Sequence, residues 1–87
     1  MTGKFATSKA GHDKGKLYVI VDCDTEYVWL ADGIYKTVEA PKKKRLKHIQ
    51  IIQETVGEEL TEQIKAKKTH LNEAVKYAIK CRMAENR

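Results

Sequence analysis

The sequence predicts a mainly-β fold, a small antiparallel barrel or meander, followed by one C-terminal α-helix. Three observations carry this expectation. Before Pro41, four strand-like segments follow one another with turn signals about every ten residues and no helical pattern between them. After Thr55 the apolar spacing changes from a strand period to a helical one. A chain of 87 residues has room for a single domain.

Gly3 to Ala10 reads as a first strand whose one large apolar residue is Phe5. Gly11 and Gly15 bracket a polar loop. Leu17 to Val21 is β-branched and aromatic almost throughout and reads as the second strand. Asp22-Cys23-Asp24-Thr25 is a turn, and Glu26 to Ala31 a third strand forming a hairpin with the second. Asp32-Gly33 is a tight-turn dipeptide leading into a fourth strand, Ile34 to Val38. Pro41 interrupts, and His48 to Ile52 returns as a fifth, closing strand that removes an exposed sheet edge.

Thr55 and Glu58 have capping-box spacing, so a helix is expected from about Glu58 to Met83. Glu58, Glu59 and Glu62 fall early and Lys76, Lys80 and Arg82 late, as the helix dipole favours. Leu60, Ile64, Leu71, Val75 and Ala78 form its apolar stripe, interrupted at Lys67. The second strand is apolar on both faces. Leu17, Val19 and Val21 are expected inside, with Tyr18 and Ile20 outside under the helix. Residues 1–53 would be the β unit and residues 54–87 a helical extension packed on it.

Seventeen Lys and Arg against twelve Asp and Glu give a net charge of +5, which favours an anionic partner. Hydrophobic residues make up 41%, enough for a core. Cys23 and Cys81 sit in no CxxC or Cys/His cluster, so ordinary thiols in a reducing compartment are expected, without disulfide or zinc. No run approaches the ~20 apolar residues of a spanning helix, and the N-terminus lacks a signal-peptide apolar region. The expectation is a cytoplasmic protein.

Two stretches concentrate chemistry. In the first, Gly11 and Gly15 permit close backbone approach, and successive amides in such a turn can cradle an anion. Lys9, Lys14 and Lys16 surround that loop with charge. A polar hairpin loop with solvated lysines fits the same spacing. In the second, Lys42 to Lys47 places five cations in six positions. Arg45 can grip phosphate bidentately, while Lys42, Lys43, Lys44 and Lys47 act as point charges. A solvated basic loop is the alternative.

Weaker signals follow. Lys65, Lys68, Lys76 and Lys80, with Asn72, would share one helix face able to track a phosphate backbone, or be solvated. Tyr27 and Trp29 share a strand face that could stack bases or cage a methylated lysine; core packing is the plainer reading. His12, His48 and His70 lie on separate elements, and no nucleophile–base pair, metal site or cofactor motif is apparent.

The ordered series Gly3, Ser8-Lys9-Ala10-Gly11-His12-Asp13-Lys14-Gly15, Tyr18-Val19-Ile20-Val21, Leu30-Ala31-Asp32-Gly33, Pro41-Lys42-Lys43-Lys44-Arg45-Leu46 and His48-Ile49 resembles a KOW motif. It is similar to the large-subunit ribosomal protein family of archaea and eukaryotes called "fourteen-e". It is also similar to that family's short bacterial relatives, described as KOW-domain RNA-binding proteins. The resemblance covers roughly residues 3 to 52, with His12 where an arginine is usual. It implies an SH3-like barrel that binds ribosomal RNA of the large subunit without catalysis, recognising shape and phosphate position, with neighbouring ribosomal proteins as further contacts. The protein would then be ribosome-associated, with no cofactor, membrane or small-molecule substrate. The expected RNA-contacting residues are Lys9, Gly11, His12, Asp13, Lys14, Gly15 and Lys16 from the loop, and Lys42, Lys43, Lys44, Arg45, Lys47 and His48 from the basic run. The rival is an SH3-like protein-interaction module of the translation or transcription machinery, since fold alone does not fix function.

Overall fold

Strand β2 (Leu17–Cys23) is the spine of the structure, pairing antiparallel with β1 (Lys4–Ser8) on one side and β3 (Tyr27–Ala31) on the other. The computed structural model describes residues 1–9, 11–12 and 14–85. β4 (Lys42–Arg45) adds to β3, and β5 (Ile49–Thr55) to β1, giving one antiparallel sheet in the order β4-β3-β2-β1-β5. A single 3-10 turn, Leu46–His48, links the two outer strands. No ladder joins β4 to β5 among the described residues, so the sheet stays open. Two helices follow, α1 (Glu58–Lys65) and α2 (Asn72–Glu85). Among the described residues, no helix is long and apolar enough to cross a membrane.

Each face of β2 is buried. One face carries Tyr18 and Ile20, which pack with Ala6, Val28, Leu30 and Ile49. Val19 and Val21 on the other face pack with Phe5, Ala31, Ile64, Leu71 and Val75, with Leu17 at the margin. This reverses the expected assignment: the helices cover the Val19 face, and Tyr18 and Ile20 lie on the side away from them. Pairing explains it. Val19 is opposite Phe5 and Ala31, Tyr18 opposite Ala6, and Ile20 opposite Leu30, and directly opposed residues share a face. Val21 is an extra residue in β2, at a bulge between the Ile20–Leu30 and Asp22–Trp29 pairs.

Further boundaries differ from expectation. β2 runs on to Cys23, and the hairpin turn is Asp24–Glu26. There the Asp24 carboxylate accepts from the amides of Glu26 (2.8 Å) and Tyr27 (2.7 Å). Ile34 to Val38 is not a strand. The Asp32 carboxylate gathers the amides of Ile34, Tyr35 and Lys36 at 2.9–3.0 Å, turning the chain so that those donors cannot form a ladder. The fourth strand is instead the basic run.

The single expected helix is two. Lys67 adopts φ 55°, and the amides of Lys67 and Lys68 donate to Ile64 and Gln63. That is a Schellman motif closing α1 with a lysine in the left-handed position that glycine normally takes. The Thr55–Glu58 capping box does not form. Thr55 ends β5, its hydroxyl accepts from the Gly57 amide (3.3 Å), and Gly57 is the N-cap of α1. Acidic residues still open both helices, Glu58 and Glu59 in α1 and Glu73 in α2. Asn72, first in α2, ties that helix to the segment before β4. Its Oδ1 accepts from the Val38 amide and its Nδ2 donates to Glu39, each at 2.8 Å.

Candidate nucleic-acid interface

The glycine loop leaves the end of β1, and its position follows from backbone bonding. The Lys9 amide donates to the His48 carbonyl (2.8 Å), and the Gly15 amide donates to the Ser8 carbonyl (3.0 Å). Within the loop the Lys14 amide donates to Gly11 (3.3 Å). Gly11 and Gly15 take φ of 88° and 82°, the left-handed region where a side chain is strained. Lys9, Gly11, His12, Lys14 and Gly15 are exposed. Asp13 lies outside the described residues.

The basic run is a strand on the sheet edge, so its side chains alternate. In the β3–β4 register, Trp29 faces Lys43 and Tyr27 faces Arg45, while Val28 faces Lys44 and Leu30 faces Lys42. Lys43 and Arg45 therefore project on the Tyr27–Trp29 face. The Lys43 ammonium lies 4.2 Å from the Tyr27 ring centre and 5.6 Å from that of Trp29; the Arg45 guanidinium lies 5.4 Å from Tyr27. Lys42 and Lys44 are half-buried on the other face. Lys44 Nζ donates to the buried Ser8 Oγ at 2.7 Å. The four consecutive cations Lys42–Arg45, which a loop would present on one surface, are thus divided between two faces. Lys47 and His48 are exposed on the 3-10 turn.

These bonds bring the two stretches together. Ser8, at the root of the loop, is reached by Lys44 of the edge strand, and Lys9 is fastened to His48. Lys16 is drawn elsewhere. Its ammonium pairs with Asp32 Oδ2 at 2.8 Å and lies 5.3 Å and 4.9 Å from the rings of Tyr18 and Tyr35. Burial raises the Asp32 pKa, but the Lys16 hydrogen bond, the Lys36 and Ile34 amides and the Lys16 charge outweigh it. The carboxyl therefore sits below its usual range. Asp32 is ionised at neutral pH and cancels most of the Lys16 charge.

Tyr27 and Trp29 belong to the surface around Lys43 and Arg45, although Trp29 also packs on the helix-side core. The signal for them in the sequence is their i,i+2 spacing opposite an alternating basic strand, legible once Lys42–Arg45 is known to be a strand. Asp24 is a negative neighbour. The Glu26 and Tyr27 amides hold its carboxyl below the usual range against slight desolvation, with the Lys43 charge adding to them.

The lysine face expected on one long helix is divided, because Lys65 ends α1 and Lys76 and Lys80 belong to α2. Among the described residues, no three of His, Cys, Asp and Glu converge in a way that could hold a metal ion. No protein-family model matches the chain, and no curated protein matches it.

Proposed function

We propose that this chain is a non-catalytic RNA-binding module, an SH3-like barrel of the KOW type that acts on ribosomal RNA of the large subunit. The observation that carries the reading is the meeting of the glycine loop with the basic edge, through Lys9–His48 and Ser8–Lys44. The loop then lies beside the edge strand on the side reached by Lys44, and an RNA backbone passing over that edge would meet Lys43 and Arg45 on the other face. Lys43 and Arg45 supply charge beside Tyr27, a ring on which an unpaired base can stack. Lys9, Lys14, Lys47 and His48 extend the surface, and Gly11 and Gly15 let a phosphate approach the backbone. Lys16, neutralised by Asp32, contributes little to affinity. The strand order, with its two outer strands linked by one 3-10 turn, supports the SH3-like reading, as does the series of residues resembling the KOW family.

The test is binding of a fluorescent RNA hairpin and of ribosomal RNA fragments across a salt series. Lys43→Glu with Arg45→Glu should abolish association with an unchanged melting temperature, and Lys16→Ala should bind nearly as wild type. A double variant that still binds normally would remove the basic edge from the interface.

A further inference from the structure

A groove of about 850 Å³ runs between α2 and the sheet. Leu17, Ile52 and Ile79 form its apolar floor, and Ile34, Tyr35 and Met83 its walls. Those three wall residues are among the most exposed large apolar side chains in the molecule, at 55%, 79% and 59%. A cluster of this kind on a small domain marks a contact surface rather than scattered exposure. Asp32 fixes its shape. The carboxylate that gathers the 34–36 amides also holds Ile34 and Tyr35 outward, and Gly33 lets this turn lie against α2. A β-carbon on Gly33 would overlap the Asn72 carbonyl.

The charge around the groove selects the occupant. Lys16 and Asp32 cancel one another there. Lys76 and Lys80 remain, exposed on one flank of α2 a single turn apart, and neither has an ion-pair partner among the described residues. A second copy seated symmetrically on this face would bring two such lysine pairs together, which the net charge of +5 makes worse. Nucleic acid suits the charge but leaves the apolar walls unmatched. We infer that the groove receives an acidic amphipathic segment of a partner protein. Its apolar side chains, at i, i+3/i+4 and i+7, would enter between Ile34, Tyr35 and Met83, and two carboxylates one turn apart would meet Lys76 and Lys80. Neither Lys43 nor Arg45 lines this groove, which meets the glycine loop only at Gly15 and Lys16, so the inference stands whether or not RNA binds at the basic edge.

The experiment is selection of random 12-residue peptides displayed on phage against the full chain, followed by backbone amide shift mapping with the enriched peptide. The expected result is enrichment of peptides with helically spaced apolar residues and at least two Asp or Glu, shifting the amides around Ile34, Tyr35 and Met83. Ile34→Ser with Met83→Ser should weaken binding at least tenfold with melting unchanged. Lys76→Glu with Lys80→Glu should lose these peptides or select Lys- and Arg-bearing ones. Failure of any peptide to enrich, enrichment without acidic residues, or shifts elsewhere would overturn the inference. So would self-association through this face, or an RNA hairpin that shifts the same amides and displaces the peptide.

Discussion

Removing the Asp32 carboxylate should be among the most damaging single changes outside the apolar core. Asp32 is 5% exposed and accepts three backbone amides and one ammonium, all within 3.0 Å. Hydrogen bonds to a charged group are worth roughly 1.5–3 kcal/mol each when their loss strands a buried partner. Here the loop amides regain water and Lys16 is 40% exposed, so the four together reduce to about 2–4 kcal/mol for Asp32→Ala. A domain of this size holds about 4–13 kcal/mol in all, and each kcal/mol moves its melting temperature by about 4–8 °C. Asp32→Ala should therefore melt roughly 10–30 °C lower. Asp32→Asn keeps the amide acceptor, loses the ion pair and should fall by about a third as much. The pH dependence gives a second reading. The folded carboxyl lies below its ordinary value, so its stabilisation is complete above the unfolded pKa of ~3.9 and is lost as pH falls through the folded value. The acid limb of a melting-versus-pH curve should be shallower in Asp32→Asn. The assay is thermal unfolding by circular dichroism from pH 2 to 7. An Asp32→Ala protein melting within a few degrees of wild type at pH 7 would refute the reasoning, because the turn would then not depend on the carboxylate.

Three further predictions concern the frame. Gly3→Ala puts a β-carbon onto the Thr61 side chain at φ 91° and should cost about 2 kcal/mol in denaturant unfolding, whereas Gly15→Ala meets nothing within 4 Å and should cost only about 1 kcal/mol of backbone strain. Lys67→Gly relieves the left-handed lysine closing α1 and should raise stability by about 1 kcal/mol; a lower melting temperature would contradict the Schellman reading. Truncation after Thr55 strips the cover from Phe5, Val19 and Val21, and should abolish cooperative unfolding as followed by near-ultraviolet circular dichroism.

How much of this could be read in the sequence depended on which signal each residue carries. Leu17 to Val21 and Tyr27 to Ala31 are legible as strands because β-branched and aromatic side chains suit little else. The strand at Lys42–Arg45 is not legible, because four cations in a row show no alternation. Their two-sidedness emerges only opposite Tyr27, Val28, Trp29 and Leu30. Ile34 to Val38 looks like a strand by composition, yet one carboxylate at Asp32 claims its amides. Which face of β2 meets the helices is undecidable from an all-apolar run and is settled by the register with Phe5 and Ala31. The helix break was half visible, as the lapse of the apolar stripe at Lys67. For the site, the glycine loop and the basic run were legible as separate features. Their contact through Ser8–Lys44 and Lys9–His48 is a tertiary fact. The pairing of Lys16 with Asp32 joins residues sixteen apart and leaves no local trace.

The central claim is that Lys9 and Lys14 of the loop, Lys43 and Arg45 on one face of the edge strand, and Lys47 of the 3-10 turn all contact phosphates of one RNA. Five cations predict a slope of roughly −3.5 to −4.5 in log affinity against log salt, a loss of about 10²–10³ between 50 and 200 mM. The decisive measurement is that slope for a ribosomal RNA fragment, with wild type and with Lys43→Glu plus Arg45→Glu. The account predicts a slope in this range for wild type and no measurable binding for the double variant. A wild-type slope near zero, or one that the double variant leaves unchanged, would contradict it.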